Sequence, residues 1–183
     1  MNVLITGAGG FLGSHIALQL LDAGHVVRGF SRGTYPTLEA LGVNWVQGDL
    51  RKQRDVSKAC EGMDAVIHTA AVPGIWGSWN MYYGINTLGT ANIIRAVQQH
   101  DIPYLVYTSS PSVVFDGKDQ SGISEEVPYP KTWLCHYPHS KALAEQQILA
   151  ANVDGQLATC ALRPHLIWGE DDPHLIPRLI ARG

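Results

Sequence analysis

Five consecutive residues, Tyr137-Pro138-His139-Ser140-Lys141, set a phenol and an ammonium four positions apart. On a helix that spacing puts both groups on one face, a turn from each other. Pro138 suits a first helical turn, so Tyr137 stands at a helix entrance. A free phenol ionises at about pH 10 and is a poor proton donor or acceptor at neutral pH unless a cation lowers that value. Lys141 can supply the cation. The same pair occurs in many helices as two surface residues. What gives it weight is the apolar run upstream that ends in Thr108-Ser109-Ser110, with Ser112 beyond it.

A second feature is Thr6-Gly7-Ala8-Gly9-Gly10-Phe11-Leu12-Gly13, after one strand-like run and at the start of a helix-like one. Bare glycine backbone allows close approach, and the free N–H groups at a helix start hold negative charge, as a dinucleotide pyrophosphate requires. Gly7, Gly9, Gly10, Phe11, Leu12 and Gly13 are the expected contacts. The alternative is a tight strand-to-helix turn that holds nothing. A site for NAD usually carries an acidic residue about 20 residues further on. Here the second strand ends in Ser31-Arg32, and a guanidinium beside a hydroxyl suits a 2′-phosphate, so NADP is expected, with NAD possible. Arg32 can also be read as an ordinary solvated arginine. Asp49, in Gly48-Asp49-Leu50, is placed either to accept from an adenine amino group or to cap a helix.

These groups need a frame. Short apolar runs near 2–6, 26–31, 43–47, 64–69, 104–109 and 158–163 read as parallel strands buried on both faces. Between them, 11–22 carries only His15, Gln19 and Asp22 as a polar stripe and reads as a mostly buried helix. The segment 85–99 turns Ile85, Leu88, Ile93, Ala96 and Val97 inward, and 139–151 is a further helix. The expected fold is α/β, a Rossmann doubly wound parallel sheet, with residues 1–183 as one domain. Two connections, 72–84 and 111–136, exceed the usual length and carry Pro, Gly and aromatic residues, as binding loops do.

The 183 residues are 45% hydrophobic and 16% charged, which excludes a disordered chain. Thirteen basic residues against sixteen acidic ones, net charge -3, give no electrostatic reason for nucleic acid or an anionic membrane as partner. A signal peptide and a membrane span are not expected either. Cys60, Cys135 and Cys160 form no CxxC pair, so a disulfide framework and a zinc knuckle are not expected and a cytoplasmic location is. No metal site is expected. His136 and His139 have no carboxylate partner nearby and read as surface or substrate-side residues.

The chain resembles the extended short-chain dehydrogenase/reductases, and within them the 3β-hydroxysteroid dehydrogenase family. The resemblance is carried by TGAGGFLG (6–13), GDL (48–50), HTAA (68–71), NTLGT (86–90), YTSS (107–110), YPHSK (137–141) and LRPHLIWG (162–169). SSPSVVFDG (109–117) is also similar to sterol-4α-carboxylate dehydrogenases and to reductases of 2-alkyl-3-oxo acids. The resemblance implies that Tyr137 exchanges a proton with the substrate oxygen. Lys141 would lower the Tyr137 pKa and hold the nicotinamide ribose. Ser110 would hydrogen-bond the reacting oxygen, with Ser112 and Thr108 as rivals, and Asn86 would support a water and backbone relay. It adds Leu50, Thr108 and the run His68, Thr69, Ala70 and Ala71 to the cofactor cleft, and has Pro164 to Ile167, Leu166 included, close over the nicotinamide. His68 can equally be a core histidine. Vertebrate steroid members carry an acidic residue where Ser31-Arg32 stands, which leaves steroid specificity and reaction direction open.

The implied activity is that of an oxidoreductase interconverting a ketone and a secondary alcohol on an apolar small molecule, a 3-oxo or 3-hydroxy acid or a sterol. Trp76, Trp79, Tyr82, Tyr83, Tyr129 and Trp133 would provide apolar surface for it, or else pack their loops onto the domain. Two rivals use the same residues: a nucleotide-sugar epimerase or dehydratase, and a sensor that binds the dinucleotide without catalysis. The resemblance also implies a homodimer through helices 85–99 and 139–151. It further implies that the chain is the N-terminal portion of a longer protein. A C-terminal substrate domain would be lacking beyond the amphipathic segment 175–183.

Overall fold

The first residues already pair: β1 (Asn2–Thr6) alternates Leu4 toward one core and Val3 and Ile5 toward the other. The computed structural model describes residues 1–170, 172, 173 and 175–181; Arg182 and Gly183, the end of the amphipathic segment, lie outside the described residues. The chain then runs through α1 (Phe11–Asp22), β2 (Val26–Ser31), α2 (Pro36–Ala40), β3 (Asn44–Gln47), α3 (Gln53–Cys60) and β4 (Ala65–His68). Next come α4 (Trp79–Tyr82), a π-helical turn (Tyr83–Thr87), α5 (Leu88–Gln99), β5 (Tyr104–Thr108) and a 3-10 turn (Pro111–Val114). Helix α6 (His136–Ala150), β6 (Ala158–Leu162) and α7 (Leu175–Ile180) follow.

All six strands are parallel, in the order β3-β2-β1-β4-β5-β6. This is the doubly wound order, and the winding reverses between β1 and β4, where a crevice opens at the carboxyl ends of the strands. The register brings those ends level: Thr6 faces Phe30 on one side and His68 on the other, and His68 faces Tyr107. The glycine turn, Ser31-Arg32, Thr69–Ala71 and Ser109-Ser110 therefore leave the sheet along one edge.

The expected burial on both faces holds for the inner strands. It fails for β3 and β6, which flank the sheet and keep exposed positions at Asn44, Gln47, Ala158, Cys160 and Leu162. Helix α1 is also less buried than its composition implies, with only Gly13 and Ala17 enclosed, because it forms an outer layer with solvent along its sides. Leu88 was expected inward but is 46% exposed. The π-helical turn swings Ile85 onto the core face, and the α5 period then buries Gly89, Thr90, Ile93, Ala96 and Val97 and leaves Leu88 outside.

Helix α6 begins at His136, three residues before the expected start, so Tyr137 lies in its first turn with Pro138. One helical turn beyond Lys141, Glu145 is fully buried. Its carboxylate accepts from Arg163 (Nη2 at 2.6 Å, Nε at 3.2 Å from each oxygen) and from the Tyr129 hydroxyl at 2.7 Å. This knot ties α6 to the segment after β6 and to the long 111–136 connection.

Glu145→Gln should leave a largely desolvated guanidinium unpaired and lower stability by about 3 kcal/mol. Replacing both Glu145 and Arg163 by leucine should restore most of the loss. Urea unfolding distinguishes the cases, and a cost below about 1 kcal/mol for the single variant would mean that the pair is screened by water.

Candidate active site

The crevice at the strand-order reversal holds two lobes of about 280 and 310 Å³ that share Gly7, Gly10, Thr69 and Ala71. Gly7 has φ +73°, and a Cβ there would stand 2.9 Å from the Ala70 backbone; a Cβ on Gly13 would stand 2.2 Å from the Gly7 carbonyl oxygen. The turn is therefore packed from below and open toward the crevice, with the start of α1, which carries no acidic residue in its first turn, aimed at it. Those features fit a diphosphate. Gly9 has a different reason for lacking a side chain: a Cβ there would lie 2.0 Å from the Tyr35 ring, which itself packs on Trp45. Nothing local in the sequence marked Tyr35 as a groove residue.

The first lobe is lined by Ser31, Arg32, Asp49, Leu50 and Ala70 among others. The turn bearing Arg32 is held by its neighbours: Ser31 Oγ and Trp45 Nε1 each donate to the Gly33 carbonyl at 2.8 Å, and Gln47 Nε2 donates to the Arg32 carbonyl at 2.7 Å. Among the described residues the Arg32 guanidinium itself makes no hydrogen bond, and it is exposed at the lobe. Asp49 is not a helix cap, because α3 starts at Gln53 with Lys52 before it. Its carboxylate is instead clamped by Arg51, with Nη2 at 2.5 Å and Nε at 3.0 and 3.1 Å, and the Arg51 hydrogen bonds hold its pKa below the ordinary carboxylate value.

The second lobe gathers Phe11, Leu12, Gly13, Thr108, Ser110, Tyr137, Lys141 and Pro164. His165, Ile167, Pro73 and Asp172 also line it and were not expected individually or at all. Leu166 departs from expectation: it is 75% exposed and lines neither lobe, while its neighbours His165 and Ile167 line the second. Of the three candidate hydroxyls, Ser112 stays outside the lobe and hydrogen-bonds Ser110, Oγ to Oγ at 2.8 Å. Ser110 faces the Tyr137 phenol.

The electrostatics differ from the sequence expectation. Burial raises the Tyr137 pKa, the Ser110 hydrogen bond acts in the opposite sense, and Lys141 contributes nothing. The reason is geometric: Lys141 Nζ donates to the Thr108 carbonyl at 2.6 Å and sits 4.1 Å from the Tyr107 ring centroid. Burial pushes Lys141 down to about 7, with Glu145 opposing. Tyr137 therefore keeps its proton at neutral pH.

Asn86 is buried and lines neither lobe. Its Oδ1 accepts from the Val72 N–H at 2.8 Å, and its Nδ2 donates to the Val72 carbonyl at 3.1 Å and to Ser140 Oγ at 3.0 Å. Ser140 Oγ donates onward to the Tyr137 carbonyl at 2.8 Å. Asn86 thus positions the helix that carries Tyr137. His68 is likewise a core residue and not part of the cleft wall, which Thr69, Ala70 and Ala71 form. Thr90 donates its hydroxyl hydrogen to the Asn86 carbonyl at 2.6 Å, so it accepts from His68 Nε2–H at 2.9 Å, and Nδ1 accepts from Thr6 Oγ1 at 2.6 Å. That fixes a neutral imidazole with its proton on Nε2.

Most of the loop aromatics pack on the domain. Trp79 and Trp133 enclose the His139 ring at 4.7 and 5.2 Å, and Trp79 also stacks on Tyr83 and meets the His136 ring. Tyr82 is buried and Tyr129 is held by Glu145. Trp76 stays 87% exposed. Among the described residues, no helix is long and apolar enough to cross a membrane.

The model of the 3-beta hydroxysteroid dehydrogenase/isomerase family matches residues 4–182. A 2-alkyl-3-oxoalkanoate reductase of Shewanella oneidensis is 50% identical over 188 residues, covering 100% of this chain and 49% of the relative. A 3 beta-hydroxysteroid dehydrogenase/Delta 5-->4-isomerase of Mycobacterium tuberculosis is 37% identical over 191 residues, covering 97% and 50%. Among solved structures, the UDP-glucose 4-epimerase of Bifidobacterium longum, in complex with NAD+ and UDP, has a TM-score of 0.78 at 26% identity and covers 89% of this chain and 52% of its own. The chain spans about half the length of the curated relatives it matches.

Burial pushes the His68 pKa down from 6.5 to about 3, with the Lys141 charge adding to the effect. Between those values the unfolded chain holds the proton and the folded chain does not, so acid favours unfolding. Stability should fall as pH drops below about 6.5, by up to about 1.4 kcal/mol per pH unit from this group. Urea midpoints from pH 7 to 4.5 should show that slope in the native chain and a slope smaller by one proton in His68→Gln; equal slopes would refute the neutral assignment.

Proposed function

This chain belongs to the 3-beta hydroxysteroid dehydrogenase/isomerase family, and from that premise we propose that it carries the cofactor site and the acid–base residues of an NADP(H)-dependent reductase acting on a ketone of a 2-alkyl-3-oxo acid. The observation that carries the reading is the partly buried Tyr137 phenol gathered with Ser110 and Lys141 in a lobe continuous with a groove that fits a dinucleotide. In ketone reduction the phenol gives its proton to the oxygen that becomes the hydroxyl, and in the reverse reaction the same group takes it back. The relatives at 50% and 46% identity, both 2-alkyl-3-oxoalkanoate reductases, support the substrate class.

Gly7, Gly10, Gly13 and the start of α1 would hold the diphosphate, with Leu50 and Asp49 on the adenosine side and Arg32 and Ser31 at the 2′-phosphate. Thr69, Ala70, Ala71, Phe11, Leu12, Thr108 and Pro164 would line the remaining length. When bound, the nicotinamide supplies the hydride. Ser110 donates a hydrogen bond to the substrate carbonyl and orients it toward Tyr137. Tyr137 transfers the phenolic proton to the oxygen as negative charge develops there. Lys141, one turn along the same face and close to half-charged at neutral pH, holds a proton at Nζ against the Thr108 carbonyl and favours reprotonation of the phenol. The reading extends to a cytoplasmic protein, which suits three free cysteines. It extends also to a homodimer through α5 and α6, where Leu88 and Leu149 remain exposed.

Tyr137→Phe should abolish NADPH oxidation with 3-oxo acids while dinucleotide affinity stays within a few-fold; unchanged turnover would remove Tyr137 from the mechanism. Net, stoichiometric loss of NADPH also separates this reaction from an epimerisation, which regenerates its cofactor. Arg32→Ala should weaken NADPH binding about tenfold or more, the effect of losing a charge-assisted pair, and leave NADH binding unchanged. Equal affinities for the two dinucleotides in the native chain would refute the 2′-phosphate assignment.

A further inference from the structure

We propose that the groove between residues 75–77 and 132–136 receives one alkyl arm of the substrate. The proposal rests on the reading above, in which the reacting carbonyl is that of a 2-alkyl-3-oxo acid. Such a molecule has a carbon chain on each side of its reacting region, one on C2 and one beyond C3. A site that reduces it needs apolar surface in two diverging directions from the catalytic hydroxyls.

The groove has a volume of about 590 Å³. Three of its side chains are large, apolar and left in water: Ile75 at 64% exposed, Trp76 at 87% and Leu134 at 74%. They stand on two loops that face each other. Trp133 and His139 stack on each other and form part of the same groove wall, and Trp79 packs on the His139 ring. Among the described residues no Lys, Arg, Asp or Glu lines the groove; its polar groups are those of Thr132, Cys135, His136 and His139, and its apolar wall of Ile75, Trp76, Trp133 and Leu134 is surface for methylenes.

Its position ties it to the chemistry. Pro73 and Tyr137 line the reactive lobe, while Ile75 and His136, only two and one residues away in the chain, line the groove. The two cavities thus adjoin along the same two segments. Tyr82 fixes the spacing: its ring lies 6.3 Å from that of Tyr137, and its hydroxyl hydrogen is shared between the carbonyls of Gly74 at 2.9 Å and Trp76 at 3.0 Å. The loop that carries Trp76 is therefore held one aromatic ring away from Tyr137. Tyr82 itself is fully buried and lines neither cavity, so it fixes the separation of the two without being a surface for the chain.

The test uses the whole chain with NADPH bound and a series of 2-alkyl-3-hydroxy acids, a pairing that binds without hydride transfer. Calorimetric Kd values are measured as the 2-alkyl arm and the C3 arm are lengthened separately. In the native chain Kd should fall about three- to fourfold per added methylene along at least one arm. Trp76→Ser and Leu134→Ser, on opposite walls, should each lose most of the slope for the same arm. Val26→Ser, an exposed apolar position at the far end of β2, should retain it. Slopes preserved in both groove variants would overturn the subsite and leave the reductase reading standing. Absence of binding by every acid, together with absence of NADPH oxidation by the 3-oxo acids, would instead overturn the reductase reading and the subsite with it.

Discussion

Thr6, His68, Thr90, Asn86, Ser140 and the Tyr137 carbonyl form one buried run of hydrogen bonds that crosses from the first strand to the helix carrying the phenol. Every donor in it meets an acceptor, and the directions agree only if His68 is neutral with its proton on Nε2. In a water-free interior each unmet group would cost on the order of 1–3 kcal/mol, so the run admits one arrangement and rejects its neighbours. Its first member sits at the end of the strand that leads into the glycine turn, and its last sits at the entrance of α6. The groove beside the glycine turn and the Tyr137 phenol are thereby held in one frame.

Around that frame, burial sets the charge states. Lys141 and Tyr137 are both enclosed, and enclosure works against the charged form of each, lowering the lysine and raising the phenol. The neighbourhood does contain compensating charge, but it is spent on structure. Arg163 satisfies Glu145, and Glu145 in turn supports Lys141 from one turn along the helix. The outcome is a phenol that keeps its proton at neutral pH and a lysine turned to the Thr108 carbonyl.

Much of this fold can be read from the chain, because its determinants are local. The short apolar runs produce the inner strands, the glycine turn marks the first strand-to-helix junction, and Pro138 fixes where Tyr137 enters α6. The readings that failed did so for reasons of environment. Leu88 has the right type for a core position, but the π-helical turn before it alters the phase. Leu166 belongs to the segment over the second lobe, yet Pro164, His165 and Ile167 take the lobe wall and leave it in water. Glu145, Arg163 and Tyr129 are 16 and 18 residues from one another along the chain and have no local signature as a cluster.

The sequence alone determined which residues can do chemistry here: the hydroxyl of Ser110, the phenol and ammonium four residues apart, the glycines, and a guanidinium where NAD sites carry a carboxylate. Residue type and spacing suffice for that. What only the tertiary structure decided is the state of those groups. The lysine expected to lower the Tyr137 pKa is turned to the Thr108 carbonyl, Asn86 is consumed by Val72 and Ser140, Asp49 is held by Arg51, and five of the six loop aromatics are packed away while Trp76 is not. Burial, desolvation and competition between hydrogen-bond partners act between residues distant in sequence, so they come into being only when the chain is folded.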